Sequence, residues 1–331
     1  MKKLIVFISI LSILSSCFKE EDQLGQVSNS SSSISIEEDY SAQKYFSLIN
    51  KTIVSENKWN IWNLAFYAQE DDFFIRLNHA ANMQAYKTDL TFDEIQTIDN
   101  NWNFKVDSAD GSRENVVLAY NINHTSNDTV YYDSTTYVLS LGKTALGEDL
   151  GYKKFQLLYT YQDKYFFIFA DISSSFANFG QIKKDNTLNF VYYSFEDNGK
   201  TVQVEPDKAT WDLLFTRSTD ITQRDTIILY DYTVASVLLN PLTTTAYAET
   251  TIKYKDQTYS NIKPELFSSK YNEIGYDWKD YNIDQSIYSI VENRHYVIRD
   301  VNNNFFKLKF ISFYNPETNL KGTFSFEYEL L

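Results

Sequence analysis

The sequence predicts an all-β protein made of two tandem antiparallel β-sandwich-like domains with few short helices. Three observations predict this fold class. Short blocks of sequence recur in the same order in the two halves of the chain, apolar and polar side chains alternate along short runs, and the composition is rich in Tyr (26) and Phe (24) but poor in Gly (9) and Pro (4). Aromatic residues are favoured on pleated, half-buried sheet surfaces.

The repeated blocks are the first of these observations. YFSL at residues 45–48 precedes WNLAF at 62–66, and YYSF at 192–195 precedes WDLLF at 211–215. Two further blocks follow in each half: YVLS at 137–140 and YKKFQ at 152–156 in the first, YVIR at 296–299 and FFKLKF at 305–310 in the second. Four matched blocks in one order predict a tandem duplication.

Period-2 alternation indicates the strands. Phe306, Leu308 and Phe310 share one face of a predicted strand, while Lys307 and Lys309 point the other way. Successive side chains of a strand point to opposite faces, so this pattern is typical of a half-buried strand.

Interruptions of these runs define the expected organisation. Polar residues between 174 and 186 separate the predicted β domains, which we place at 40–178 and 186–331. Residues 89–97 (DLTFDEIQT) have apolar residues at helical spacing and acids near the start, and predict a short helix.

The N-terminus predicts a lipid anchor. A positive start and an apolar stretch from Leu4 to Leu14, too short to cross a bilayer, lead to Leu14-Ser15-Ser16-Cys17, which resembles a bacterial lipobox. Residues 1–16 are therefore predicted to be a signal peptide and Cys17 the lipidated residue. The alternative is a chance cysteine after an ordinary signal peptide.

The residues after Cys17 predict the location of the protein. FKEED at 18–22 resembles the surface-export signal of Bacteroidetes lipoproteins; the alternative is a charged tether that faces the periplasm. Residues 17–39 are expected to be the lipidated cysteine and a flexible linker. The prediction is an outer-membrane lipoprotein exposed at the cell surface.

Composition excludes several functions. The formal net charge of −14 argues against a nucleic-acid partner. Cys17 is the only cysteine, so disulfides, zinc–thiolate sites and iron–sulfur clusters are excluded. No metal site is predicted. GxSxG, HExxH, P-loop and dinucleotide-binding patterns are missing, and the sequence does not predict an enzyme.

The order of the blocks resembles that of the HmuY family, haemophore-like surface lipoproteins of Bacteroidetes. The blocks that carry the resemblance lie at 62–66, 75–78 and 87–93 in the first copy, at 209–217 in the second, and at 296–300, 306–308 and 324–328 near the C-terminus. The resemblance implies an all-β fold, a lipid anchor and capture of haem through two axial side chains, commonly His and in some members Met. Haem or a haem-protein and an outer-membrane receptor are the implied partners, and iron acquisition the implied role.

One departure from the family matters. The second axial ligand of the two-His members corresponds roughly to residues 278–283, which contain no His and no Met. A member that keeps the scaffold and has lost its ligands is therefore an open alternative: a non-enzymatic β-sandwich adaptor that binds a glycan or a protein partner.

The candidate haem ligands are few, because the chain has three His and, apart from Met1, one Met. His79 and Met83 lie four residues apart and would share a side if the segment were helical. His295 precedes a predicted strand. Imidazole and thioether groups are axial donors for haem iron, so His79, Met83 and His295 are the predicted haem-binding residues. The alternatives are a solvated His79, a Met83 in the core and a His295 at a strand edge.

Overall fold

Antiparallel strands make up most of the described chain. The computed structural model describes residues 30–331 except 71, 145–146 and 225–227, with the backbone alone between 220 and 232. The strands are β1 (Ser30–Ser35), β2 (Ala42–Ser47), β3 (Thr52–Lys58), β4 (Leu64–Tyr67), β5 (Ile75–Leu77), β6 (Gln84–Thr88), β7 (Ile122–Ser126), β8 (Thr129–Tyr132), β9 (Thr136–Ser140), β10 (Tyr152–Tyr161), β11 (Lys164–Asp171), β12 (Asn178–Lys183), β13 (Phe190–Ser194), β14 (Lys200–Val202), β15 (Leu213–Arg224), β16 (Ile228–Leu239), β17 (Thr245–Glu249), β18 (Lys279–Asn282), β19 (Ile287–Ile290), β20 (His295–Arg299), β21 (Phe305–Tyr314) and β22 (Lys321–Leu330).

The helical elements are single 3₁₀ turns. They lie at Trp59–Ile61, His79–Ala81, Arg113–Asn115, Glu196–Asn198, Tyr254–Asp256, Tyr259–Asn261 and Pro264–Leu266. Among the described residues, none of these turns has the length or hydrophobicity to cross a membrane.

Four sheets stack in the order I, II, III and IV. Sheet I has the order β1-β22-β21-β20-β17, sheet II β16-β15-β2-β3 and sheet III β14-β13-β4-β5. Sheet IV runs β12-β11-β10-β8-β7, with β9 beside β10 and β6 beside β9. A separate hairpin joins β18 and β19. The prediction of an all-β protein with antiparallel, sandwich-like sheets is confirmed.

Three cores hold the layers together. Phe215 and Phe326 stack in the core between sheets I and II, and Phe66 and Phe167 stack in the core between sheets III and IV. A smaller core, which includes Tyr45, lies between sheets II and III. Sheets II and III are therefore buried on both faces.

Burial on both faces explains the continuous apolar blocks of the sequence. In β4, Leu64 and Phe66 point into the core with sheet IV, whereas Ala65 points towards sheet II. In β15, Leu213 enters the core with sheet I and Leu214 points towards sheet III. A strand covered on both sides reads as an unbroken apolar run.

The two halves of the chain exchange strands. In sheet II, β2 pairs with β15, with Phe46 opposite Leu213; in sheet III, β13 pairs with β4, with Tyr193 opposite Leu64. β1, which precedes the first predicted domain, adds to β22 of the second half, and β12 pairs with β11, the strand before it in the chain. Strands from the predicted domains 40–178 and 186–331 thus share sheets II and III, and the duplication itself stays a prediction.

Two local predictions are corrected. Part of the flexible linker predicted at 17–39 is ordered: 30–35 forms β1, and Ile34 and Ile36 are buried because they fill the core between sheets I and II. The predicted signal peptide and Cys17 lie outside the described residues. The predicted helix at 89–97 is a turn, since Thr91 bonds the Glu94 carboxylate through both its amide and its hydroxyl.

Candidate functional site

His79 lies at an inter-sheet cavity. Asn78 caps the 3₁₀ turn His79–Ala81: its Oδ1 accepts the amides of Ala80 and Ala81, and the His79 carbonyl accepts the Thr219 hydroxyl at 2.7 Å. The imidazole Nε2 is buried without a partner among the described residues. Burial and the nearby Arg76 charge lower the pKa of His79 to about 3, so the ring is neutral at physiological pH.

Met83 is a core residue. Only 1% of its surface is exposed, and it packs between sheets III and IV. The Asn63 side-chain amide points at its sulfur at 3.9 Å. The backbone turns at Asn82, whose φ is +55°, so the helical spacing that would bring His79 and Met83 to one side is missing.

His295 lies in the other half of the molecule. It begins β20, is 1% exposed, and packs edge-on against Tyr254 with ring centroids 5.7 Å apart. Burial is the main cause that lowers its pKa to about 4, and the charge of Lys307 acts in the same direction. Met83 and His295 do not line the cavity that His79 borders. The structure therefore does not bring the three predicted ligands together.

A cleft of about 970 Å³ opens beside β6 in the half of the molecule that contains sheet IV. Binding sites for small molecules have volumes of roughly 300–1,000 Å³. One wall is β6 with the segment around Lys105, which pairs with Ala85 through two backbone hydrogen bonds of 2.9 Å. The other wall is the loop 106–121.

Buried polar contacts hold the loop of the cleft in place. Both carboxylate oxygens of Asp107 accept backbone amides, from Leu77 at 2.8 Å and from Val117 at 2.7 Å. The Tyr137 hydroxyl donates to the Ala119 carbonyl at 2.6 Å. These contacts tie the loop to β5 and β9, so the cleft has fixed walls.

The cleft presents cations and aromatic rings. Lys87 and Lys105 are exposed at its border and form no ion pair with a described residue. The Tyr86 ring stacks on Trp102, with centroids 5.1 Å apart and planes 12° from parallel. Burial raises the pKa of Tyr137 to about 12, so its phenol is protonated at neutral pH. No imidazole or thioether belongs to the residues that line this cleft.

The sequence contains only partial signals for the cleft. Lys87 belongs to a block that carries the family resemblance, but the lysines themselves were not predicted as site residues. A glycan-binding surface would need exposed tryptophans. Of the three outside the repeated blocks, Trp59 and Trp278 are buried, at 5% and 1% exposure, and Trp102 is partly exposed. The pairing that places Lys105 beside β6 follows from tertiary contacts and leaves no local mark in the sequence.

Comparisons with known proteins identify one family model and several solved structures. A family model described as "HmuY protein" matches residues 186–328. Among solved structures, apo PinO from Porphyromonas gingivitis is 8% identical with a TM-score of 0.30, over 92% of this chain and 97% of that one. The apo HmuY analog of Tannerella forsythia is 10% identical with a TM-score of 0.26, over 91% and 95%. No curated protein matches. The family model confirms the resemblance to the HmuY family for residues 186–328, whereas the blocks of the first copy lie outside this match.

Proposed function

We propose that this chain is a non-enzymatic surface lipoprotein that captures haem or a related tetrapyrrole for iron acquisition, and that the ligand lies in the cleft beside β6. The observation that carries the proposal is a cleft of tetrapyrrole size, bordered by cations and aromatic rings, in a protein that resembles the HmuY family. Cys17 would anchor the protein in the outer membrane.

The chemistry of the cleft matches a flat dianionic ligand. A porphyrin offers a large apolar ring, and its two propionates carry negative charge. Lys87 and Lys105 can pair with those carboxylates, and half-buried aromatic rings such as Tyr86 can contact the ring face. The chain as a whole is negatively charged, so two exposed lysines that form no ion pair with a described residue are a local exception to that charge.

Iron coordination contributes little to this mode of binding. His79, Met83 and His295 lie in three separate environments, and the cleft is lined by neither His nor Met. We therefore expect recognition through the porphyrin ring and the propionates, without two axial ligands from this chain.

A hemin titration of the purified protein tests the proposal. The wild type should give a saturable change of the Soret band. The double substitution Lys87→Ala and Lys105→Ala should weaken binding by about tenfold or more, since two charge-assisted contacts are lost. Lys253→Ala with Lys255→Ala, two lysines of a loop away from the cleft, is the matched control and should leave affinity unchanged.

A conservative pair of substitutions examines the predicted ligands. His79→Gln with Met83→Leu keeps the volume of both side chains while it removes both iron donors. Hemin affinity should not change. If this variant loses the Soret shift while the lysine variant still binds hemin, the binding site is at His79 and Met83 and not in the cleft.

A glycan or protein partner is the second candidate. The stacked pair of Tyr86 and Trp102 favours it, because stacked rings that remain partly exposed are typical of surfaces that bind flat apolar faces. Absence of any hemin effect, together with oligosaccharide binding that Trp102→Ala abolishes, would favour this second function.

A further inference from the structure

A small cavity of about 40 Å³ lies between sheets II and III, separate from the cleft. Its wall contains Arg76 from β5, His79 from the 3₁₀ turn, Arg217 from β15 and the hydroxyl-bearing Tyr45 and Tyr192 from β2 and β13. A single water needs about 10–15 Å³ of such space. The cavity therefore has room for a few waters or for one small ion.

The unsatisfied polar atoms of this cavity are nitrogens. Trp62, Arg76 and His79 line it, and the Trp62 Nε1, Arg76 Nε and His79 Nε2 atoms are each buried without a hydrogen-bond partner among the described residues. The first two are obligatory donors, and a neutral imidazole nitrogen can also donate. Buried donors without acceptors cost free energy, so the site calls for an acceptor.

Two arginines make the cavity positively charged. Arg76 is 5% and Arg217 is 7% exposed, and neither forms an ion pair within 4 Å in the described chain. The Arg217 guanidinium lies 3.6 Å from the Trp59 ring centroid, and its Nε donates to the Ala80 carbonyl. Arg76 lies 4.9 Å from the Tyr271 ring centroid. Buried charges without a partner are rare in folded proteins.

The nearby carboxylates are engaged elsewhere. Asp39, whose charge acts on Arg217, accepts the Ser41 amide at 3.1 Å. Asp107 and Asp110 are close enough to feel the charge of Arg76, but Asp107 accepts two backbone amides and Asp110 accepts the Ser112 amide and hydroxyl. Glu205 accepts the amides of Asn189 and Phe190 and the Tyr192 hydroxyl. None of them forms an ion pair with either guanidinium.

The positions that match the two arginines in the other half of the chain carry apolar residues. Asn78 and Asn240 are matched residues, because the side-chain amide of each donates to the carbonyl of a tryptophan, Trp62 or Trp211. Two positions earlier the first half has Arg76 and the second half has Leu238. Six positions after the matched tryptophans, the first half has Ala68 and the second half has Arg217. Each arginine therefore stands where the other half has an apolar side chain.

We propose that this cavity binds one small free oxyanion, a carboxylate of acetate size or a tetrahedral phosphate-like ion, between the Arg76 and Arg217 guanidiniums, with the Trp62 indole and the His79 imidazole as further donors. Guanidinium groups match the geometry of such anions with paired N–H donors. The ion would bridge β5 and β15 and so link sheets II and III.

Thermal unfolding in defined anions tests the site. The purified protein is exchanged into chloride buffer and titrated at constant ionic strength with inorganic phosphate, selenate or acetate. At least one of the three should raise Tm in a saturable way, since binding to the folded state alone stabilises it. Stabilisation by acetate alone identifies a planar site, and stabilisation by phosphate and selenate a tetrahedral one.

Matched variants assign the effect to the cavity. Arg76→Met introduces an apolar side chain similar to Leu238, the matched residue of the other half. It should weaken anion binding by about tenfold or more, and His79→Gln should weaken it less. Arg299→Met is the control, because Arg299 also packs on an aromatic ring but belongs to sheet I. Equal loss in the Arg299 variant would overturn the assignment.

Anomalous diffraction from crystals of the wild type grown with selenate gives a second test that needs no variant. A selenium peak between Arg76 and Arg217 is the expected result. Water alone in the cavity, together with no saturable change of Tm in any of the three anions, would overturn the proposal.

Discussion

Asp212 and Asn63 show how single residues serve the same task in the two halves of the molecule. The Oδ2 of Asp212 accepts the Leu48 amide at 2.7 Å, and the Oδ1 of Asn63 accepts the Phe195 amide at 2.8 Å. The side-chain amide of Asn63 accepts its bond without carrying a charge, whereas burial raises the pKa of the Asp212 carboxyl to about 7.

Asp212→Asn should stabilise the protein in a pH-dependent way. The folded pKa of about 7 lies above the unfolded value of about 3.9, so stability is highest below pH 4 and falls as the pH rises towards 7. Removal of this ionisation should add on the order of 1–4 kcal/mol at pH 8 and almost nothing at pH 4. Urea unfolding at the two pH values measures the difference. A gain of equal size at both would show that ionisation is not its cause.

Lys279 should make stability depend on pH in the opposite direction. It is buried, donates to the Ala235 carbonyl at 2.7 Å, and lies 4.5 Å from the Trp278 ring centroid. Burial lowers its pKa to about 7, whereas the unfolded value is about 10.4, so stability should rise between pH 7 and pH 10. Lys279→Met should flatten this part of the curve of stability against pH. An unchanged slope in that variant would contradict the assignment.

At the scale of strands, the same edge-on contact between a tryptophan and a tyrosine occurs twice. Trp62 packs edge-on against Tyr192 with centroids 4.8 Å apart, and Trp211 packs edge-on against Tyr45 at the same distance. In each pair the tryptophan comes from one half of the chain and the tyrosine from the other. The repeated blocks of the sequence thus lie at matched places in sheets II and III.

The sequence predicted where the strands lie better than it predicted which strands pair with each other. Alternating residues and double-sided apolar runs fix which segments are strands, because these patterns depend on burial of each face. The exchange of β2 and β13 was not predictable, since the repeated blocks offer the same apolar faces to either partner. His79, Met83 and His295 were chosen for their donor atoms, and tertiary packing alone decides where those atoms point.

Removal of β1 should expose an edge. A chain that starts at Glu37 loses the strand that covers β22 and the buried Ile34 and Ile36. Exposed edge strands promote association, and loss of two buried isoleucines removes several kcal/mol of apolar burial. Tm should fall, and light scattering should detect oligomers; a chain that starts at Ser28 keeps β1 and is the control. A monomer of unchanged Tm that lacks β1 would contradict the role of this strand.

At the scale of the whole molecule, the strand exchange makes the halves interdependent. The fragment 186–331 lacks β1, β2 and β3, and the fragment 40–178 lacks β13 and β14. Each fragment would leave sheet faces exposed that are buried in the full chain. The central core between sheets II and III needs both halves.

Separate expression of residues 28–184, which keep β1 and β12, and of residues 186–331 tests this interdependence. Each alone should lack cooperative thermal unfolding, and a mixture should recover a 1:1 complex by size-exclusion chromatography, because the exchanged strands then find their partners. A cooperative transition of fragment 186–331 alone would show an independent domain instead.

The cleft beside β6 and the buried oxyanion cavity are separate sites. The first has a volume of about 970 Å³ and lies beside sheet IV, and the second has about 40 Å³ and lies between sheets II and III. Anion binding would stiffen the contact between the two central sheets without competing for the cleft, so hemin affinity and anion affinity should be independent of each other.

The most direct test of tetrapyrrole capture compares hemin with iron-free protoporphyrin IX by fluorescence quenching of the purified protein. If the ring and propionates are recognised by the cleft, the two dissociation constants should agree within about tenfold, and Lys87→Ala with Lys105→Ala should weaken both together. Hemin binding without any binding of protoporphyrin IX would contradict the account, because it would require axial ligands that the cleft lacks.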